Sequence, residues 1–372
     1  MNNGMTLQEM LTEVVRHNET KKDFVANTKE HMAMVAMPDA GFDNDLAIVL
    51  QRPESSELER FGITENFHQQ LASRLKIPSK YYMRLLQDHR ELLLKNVNDL
   101  FNREPAIRMT RTLDGKARAF LSQQFRRVDN EQILESTLPV IRNDFDTEIL
   151  STYVDENRMK FKCLFNGDDH AIDLGDSGSR SDIVHTGFEM GNSEVGKGTF
   201  YIRGFLYRDR CLNGCVFGVD DSVNFRQVHV GSKLGVDEGM LLSNETMRLE
   251  DELIVSAAKD VLTAISTPEY AQKVGATLRA LKNRAPVKDA HAAVEAITNE
   301  LKLSDNQSKG VLESFIRDQD YSQWGMVNAV TAQANVESDY VVASHIEELG
   351  NNIINLPANR WSQIATLERI AA

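Results

Sequence analysis

The sequence predicts an α+β fold: a helical N-terminal region, a central antiparallel-rich β-sheet region and a helical C-terminal third. Three observations carry this. Alternating strand-like segments and turn dipeptides crowd into residues 105–235. Apolar residues recur at helical spacing on either side of that stretch. A chain of 372 residues with 41% hydrophobic residues can also bury one composite core or two moderate ones. The regions expected are 1–104, mainly helical, 105–235, β-rich with basic and aromatic residues interleaved, and 236–372, helical.

The first helix is announced by Thr6 and Glu9, a capping-box pair, followed by Leu7, Met10, Leu11, Val14 and Val15. A strand-like segment follows at Leu46 to Leu50, then an acidic loop. A helix begins near Thr64 with Phe67, Leu71 and Leu75 at four-residue spacing. Pro78 turns the chain, because the residue before proline avoids the helical region, and Ser79 can cap the next helix through Leu85, Leu86, Leu93 and Val97. His68 to Gln87 resembles a helix-turn-helix, on which Ser79, Lys80, Tyr81 and Arg84 would face a major groove. A plain αα-hairpin fits the same pattern.

Ile107 to Leu113 alternates, Asp114-Gly115 supplies a hairpin turn, and Ala117 to Leu121 returns. Asp129 or Asn130 can cap a helix carrying Ile133, Leu134, Leu138 and Ile141. Strands are then expected at Glu148 to Val154, Met159 to Phe165, Ile183 to Glu189, Phe200 to Tyr207, Cys215 to Phe217 and Phe225 to Val230. Past a glycine-containing loop at Ser232 to Ser243, Leu249, Leu253, Ala257, Val261 and Ile265 form an apolar stripe. Ser304 and Gln307 mark another cap, and Tyr321 through Leu349 holds further helix.

A net charge of −13 excludes a protein that coats nucleic acid with its whole surface, so any such site must be local. Cations gather at Arg103, Arg108, Arg111, Lys116, Arg118, Arg126 and Arg127, where acids are few. The start of the chain lacks a basic patch followed by an apolar core, and no apolar run approaches the roughly 20 residues that span a bilayer. No membrane contact and a cytoplasmic location, in the host cell, are expected. Cys163, Cys211 and Cys215 are an odd count without the density of a disulfide scaffold, so reduced thiols are expected.

Gly187 to Gly218 is the most unusual stretch, because glycines, asparagines and two cysteines interrupt a strand pattern. Cys211 and Cys215 with His185 or His229 could ligate zinc, but the second ligand pair of a structural site is missing. Cys211 near Arg208 and Arg210 could be an activated thiol, and a tight turn explains the same residues. GNSEVGKG lacks the Ser/Thr of a P-loop, since Gly198 stands there, so a glycine hairpin is favoured over a phosphate cradle for Lys197. No cofactor is expected, and catalysis by cysteine or metal ranks third among the functional readings.

Three stretches resemble the phage and plasmid proteins grouped as domain of unknown function nine-three-two: AFLSQQFRRVDNEQILESTLPVI (Ala119 to Ile141), GNSEVG with RDRCLNG (Gly191 to Gly196, Arg208 to Gly214), and QWGMVNAVTAQANVESDYVVASHIEELG (Gln323 to Gly350). The resemblance implies a mobile-element origin and brings no established active site. Element order and basic strands also resemble, at the level of fold class, the Rad fifty-two-type single-strand-annealing proteins.

The leading expectation is a non-catalytic, self-associating protein that binds single-stranded nucleic acid in recombination or replication. Its groove would be lined by Arg108, Arg111, Lys116, Arg118, Arg126 and Arg127 around Phe120 and Phe125, and by Arg203, Arg208 and Arg210 around Tyr201, Phe205 and Tyr207. Cations would track phosphates while aromatic faces stack on bases. Charge reversal at Arg118 and Arg126 should then abolish binding. The alternative is a factor that binds a host protein, for example to counter a defence system; if the arginines of the second group are buried or paired, the nucleic-acid reading loses half its support.

Overall fold

The computed structural model describes residues 4–38, 40–42, 45–177, 180–209, 213–218, 225–227 and 244–368. They form an α+β fold with two sheets. The first sheet has the order β1-β5-β6-β4-β3-β2, from β1 (Lys22–Asn27), β2 (Met32–Ala36), β3 (Leu46–Gln51), β4 (Leu58–Ile63), β5 (Ile107–Leu113) and β6 (Lys116–Ser122). The boundary expected at residue 104 therefore falls inside a sheet, because four of its six strands precede it. Apart from Leu46 to Leu50 these early strands escape sequence reading: each has five or six residues, too few for period-two alternation to stand out.

The two edge strands, β1 and β2, are joined by a single helical turn, α2 (Thr28–His31). Six strands laid flat would hold their edges about 24 Å apart at the usual ~4.8 Å spacing. One helical turn spans only about 6 Å, so the sheet must curl. Across the opening lies α5 (Arg90–Arg103). Its Asn98 amide donates to Met34 O (2.9 Å) and accepts from Met34 N (2.9 Å), and so occupies the β2 edge as a neighbouring strand would. Two more helices, α3 (Glu65–Arg74) and α4 (Ser79–Asp88), complete the filling of the curl. Phe24, Ile48, Phe67, Leu71, Tyr82, Leu93 and Phe120 share its core.

The second sheet runs β12-β11-β10-β8-β7, with β9 on β10 and β13 on β11. Its strands are β7 (Thr147–Val154), β8 (Met159–Phe165), β9 (Ala171–Ser177), β10 (Arg180–Asn192), β11 (Phe200–Arg208), β12 (Asn213–Phe217) and β13 (Phe225–Gln227). Its pairings are antiparallel. Gly187 is required where β10 crosses β8, because a Cβ there would lie 2.0 Å from Cys163 O. The helices α1 (Leu7–Thr20), α6 (Asn130–Asp144), α7 (Asn244–Ile265) and α8 (Pro268–Lys282) pack around it. So do α9 (Ala290–Leu301), α10 (Asp305–Asp318), α11 (Gln323–Thr331), α12 (Tyr340–Ile354) and α13 (Ala358–Ala365).

The segment Ser193 to Val195, just after β10, joins the two halves. Val195 packs with Met109, Ala119, Leu121 and Phe125 on the outer face of β5 and β6. Its carbonyl accepts from Gln70 Nε2 (2.7 Å), while Gln70 Oε1 accepts from Phe120 N (2.7 Å), so α3 serves β6 where β4 has ended. Gly196 closes the loop at φ +75°, a conformation that favours glycine.

Candidate nucleic-acid interface

Between Glu65 and Asp88 the chain carries no acidic residue, and it holds Arg74, Lys76, Lys80 and Arg84. The segment folds as α3, a turn and α4. Thr64 caps α3 by accepting from Phe67 N (3.3 Å), and Lys76 in the turn takes the left-handed region at φ +55°. Helical periodicity sorts α4 cleanly. Tyr82, Leu85 and Leu86 are buried, whereas Lys80, Tyr81, Arg84 and Gln87 face outward. The helix packs chiefly on α3 and α5, leaving its opposite side to solvent.

Arg74, Lys76, Lys80 and Arg84 are exposed, and among the described residues their side chains make no ion pair or hydrogen bond. Arg108, half-buried on β5, joins them: burial, and then the nearby charge of Arg74, lower its pKa. Two arginines held close without a carboxylate between them repel each other, a cost that a bound polyanion removes.

The other cations expected to line the groove are placed differently. The Arg111 side chain is fully buried: Nε donates to Asp23 (2.8 Å), Nη2 to Asp129 (2.7 Å) and Nη1 to Glu194 O (3.0 Å). Lys21 Nζ binds the second Asp129 oxygen at 2.8 Å. Burial would raise the Asp129 pKa, but Arg111 and Lys21 overcome it and hold the carboxyl below its usual range. Arg118 is also buried, with Nη2 donating to Glu194 (2.6 Å). Arg127 is exposed but 3.3 Å from Asp23. Lys116 is exposed at the hairpin turn and Arg126 is half-buried beyond β6, and both make further contacts.

On the second sheet, Arg208 is buried and donates through Nε to Asp182 (2.5 Å), whose other oxygen accepts from Trp324 Nε1 (3.2 Å). Arg203 is held between Glu189 (2.7 Å) and Glu348 (2.6 Å) under α12. Arg210 lies outside the described residues. Phe120, Phe125 and Phe205 are buried in the cores. The expected strand-borne groove is therefore corrected: Arg111, Arg118, Arg203 and Arg208 are spent on internal carboxylates, and the strand phenylalanines face inward, as alternate aromatics in strands generally do. Charge reversal at Arg118 would test folding rather than binding.

The α12 cover is permanent on energetic grounds. Besides Glu347, α12 buries Ile346, Leu349, Ile353 and Ile354, and it carries the half-buried Glu348. At about 1.5–3 kcal/mol each, lifting it to bare Lys160, Lys162 and Arg203 would cost a large part of the stability of an ordinary domain.

The Gly187 to Gly218 stretch is structural where it is described. Ser193 Oγ accepts from the Val195 and Lys197 N–H groups (3.4 and 2.9 Å), so those donors are turned onto the loop itself rather than toward an anion. Cys215 is buried, and burial raises its thiol pKa. His185 pairs with Asp209 at 3.0 Å. Cys211 and His229 lie outside the described residues.

His68 lies beneath this surface. Its Nδ1 is 2.8 Å from Tyr82 Oη, and its buried Nε2 has no hydrogen-bond partner. Burial pushes its pKa down to about 4. The unfolded chain therefore binds this proton first as pH falls, and stability drops between pH 6.5 and 4 by roughly 3 kcal/mol. His17 and His170, also lowered by burial, act in the same direction. Denaturant melts across that window should show the fall, and His68→Gln should remove most of the His68 share; an unchanged slope would contradict the burial.

No protein-family model matches the chain, nor does any curated protein or solved structure.

Proposed function

We propose that the protein binds nucleic acid through the surface formed by α3, its turn and α4, with Arg108 alongside. The observation that carries this reading is one of contrast. In a chain of net charge −13, the strand arginines Arg111, Arg118, Arg203 and Arg208 are neutralised by internal carboxylates, whereas Arg74, Lys76, Lys80, Arg84 and Arg108 make no ion pair among the described residues, and Arg74 lies close enough to Arg108 to lower its pKa. Phosphate neutralisation releases condensed counterions, which supplies affinity without base recognition. A role in recombination or replication, and self-association, belong to the same reading. The mobile-element origin is supported by the three sequence stretches described above.

The test is fluorescence anisotropy with labelled oligonucleotides from 50 to 200 mM salt. Three to five phosphate contacts on a duplex give a log-log slope of about −3 to −4.5, and so an affinity loss of roughly 40- to 500-fold over that range. Absence of binding at 50 mM salt would dismiss the reading and leave an acidic protein as the polyanion to be sought.

A further inference from the structure

We infer that the nucleic acid is double-stranded DNA, with α4 lying in the major groove; this rests on the nucleic-acid-binding reading above. The ten residues of α4 make a rod about 15 Å long and 10–12 Å across, which the roughly 12 Å major groove of B-form DNA admits. Its outward side presents Lys80, Tyr81, Arg84 and Gln87, with Lys80 and Arg84 one turn apart and stacked on the same face. These are donors suited to base edges and to the groove walls.

The remaining cations come from the end of α3, the turn before α4 and the neighbouring strand. Arg74 ends α3 and Lys76 lies in the turn before α4, while Arg108 comes from β5 beside Arg74. Cations placed off the helix reach the phosphates bordering the groove and fix its register, whereas those on the helix meet the groove floor. Asp88 and Glu91, both exposed, follow at the far end and limit the footprint.

Single strands are disfavoured by what the surface lacks. Sequence-tolerant single-strand sites stack successive bases on several aromatic faces. Tyr81, 46% exposed, is the only exposed aromatic among the described residues. Double-stranded RNA is disfavoured because its major groove is too narrow and deep for a helix.

The experiment uses the full chain with three probes of one sequence: a 20-base-pair DNA duplex, its single strand and the RNA duplex. The DNA duplex should bind about tenfold or more tightly than either competitor, and Lys80→Ala with Arg84→Ala should remove about that margin. Thermal melts of the variant confirm that these exposed substitutions leave folding intact. Equal or tighter binding of the single strand or of RNA overturns the inference while the binding reading stands. So does a duplex preference that survives loss of both side chains. Failure of all three probes at 50 mM salt would instead remove the binding reading itself.

Discussion

Replacing Glu194 by Ala lowers the free energy of unfolding by about 3–5 kcal/mol, read from the midpoint of a denaturant melt. The carboxylate is buried and accepts from Arg118 Nη2 (2.6 Å) through one oxygen and from Asn130 N (2.8 Å) through the other. Its loss strands the buried Arg118 guanidinium, whose Nε has no hydrogen-bond partner of its own. It also opens the end of α6, where Asn130 N would lose its acceptor. The cost is that of an uncompensated charge rather than of one hydrogen bond. Removing both ends, as Arg118→Met with Glu194→Met, should recover much of the loss, since apolar groups of similar volume replace buried ion pairs at little or no cost. A single variant that melts like the parent would mean that water reaches this pair.

Glu189→Ala should cost a similar 3–5 kcal/mol in the second sheet. Glu189 is fully buried, accepts from Tyr201 Oη (2.5 Å) and Arg203 Nη2 (2.7 Å), and lies within 3.8 Å of Lys160 and Lys162. Against the three cations stand Glu189, Glu347 and Glu348, so the variant leaves one positive charge unbalanced beneath α12. Burial acts to raise the Glu189 pKa, but Arg203, Lys160 and Lys162 prevail and hold it far below the usual carboxylate range. The sign follows: a depressed folded-state pKa contributes stability above the unfolded value near 4.5, and that share is lost as pH falls below it. Parent and Glu189→Ala should therefore converge toward acid pH, whereas a constant gap would assign the effect to packing alone.

Some local signals in the sequence translate directly into structure and others do not. Ser79 is the first residue of α4 after Pro78 rather than its cap, and the helix expected to run on through Val97 breaks at His89 into α4 and α5. The Asp129 carboxylate, expected to cap α6, is taken by Arg111 and Lys21 instead. Thr6 and Glu9 form the capping box of α1, and Ser304 with Gln307 that of α10. Asp114-Gly115 turns the β5–β6 hairpin with both residues at positive φ. Exposure of Lys80, Tyr81 and Arg84 was also legible, because four-residue spacing fixes the buried side of α4. Burial of the arginines was not: Arg111 meets Asp23 across 88 positions, Arg118 meets Glu194 across 76, and Lys162 meets Glu347 across 185. A run of arginines near few acids looks solvent-facing only if distant carboxylates are left out. For Arg74 and Lys76 the signal in the sequence is the absence of acids between Glu65 and Asp88.

The most direct measurement is the same oligonucleotide titration on two charge-reversed pairs, one from each candidate surface. Lys80→Glu with Arg84→Glu should weaken binding by about 100-fold at 50 mM salt, while Lys116→Glu with Arg127→Glu, exposed on the strand side, should leave it within about threefold. Retained affinity in the first pair together with its loss in the second would contradict the account.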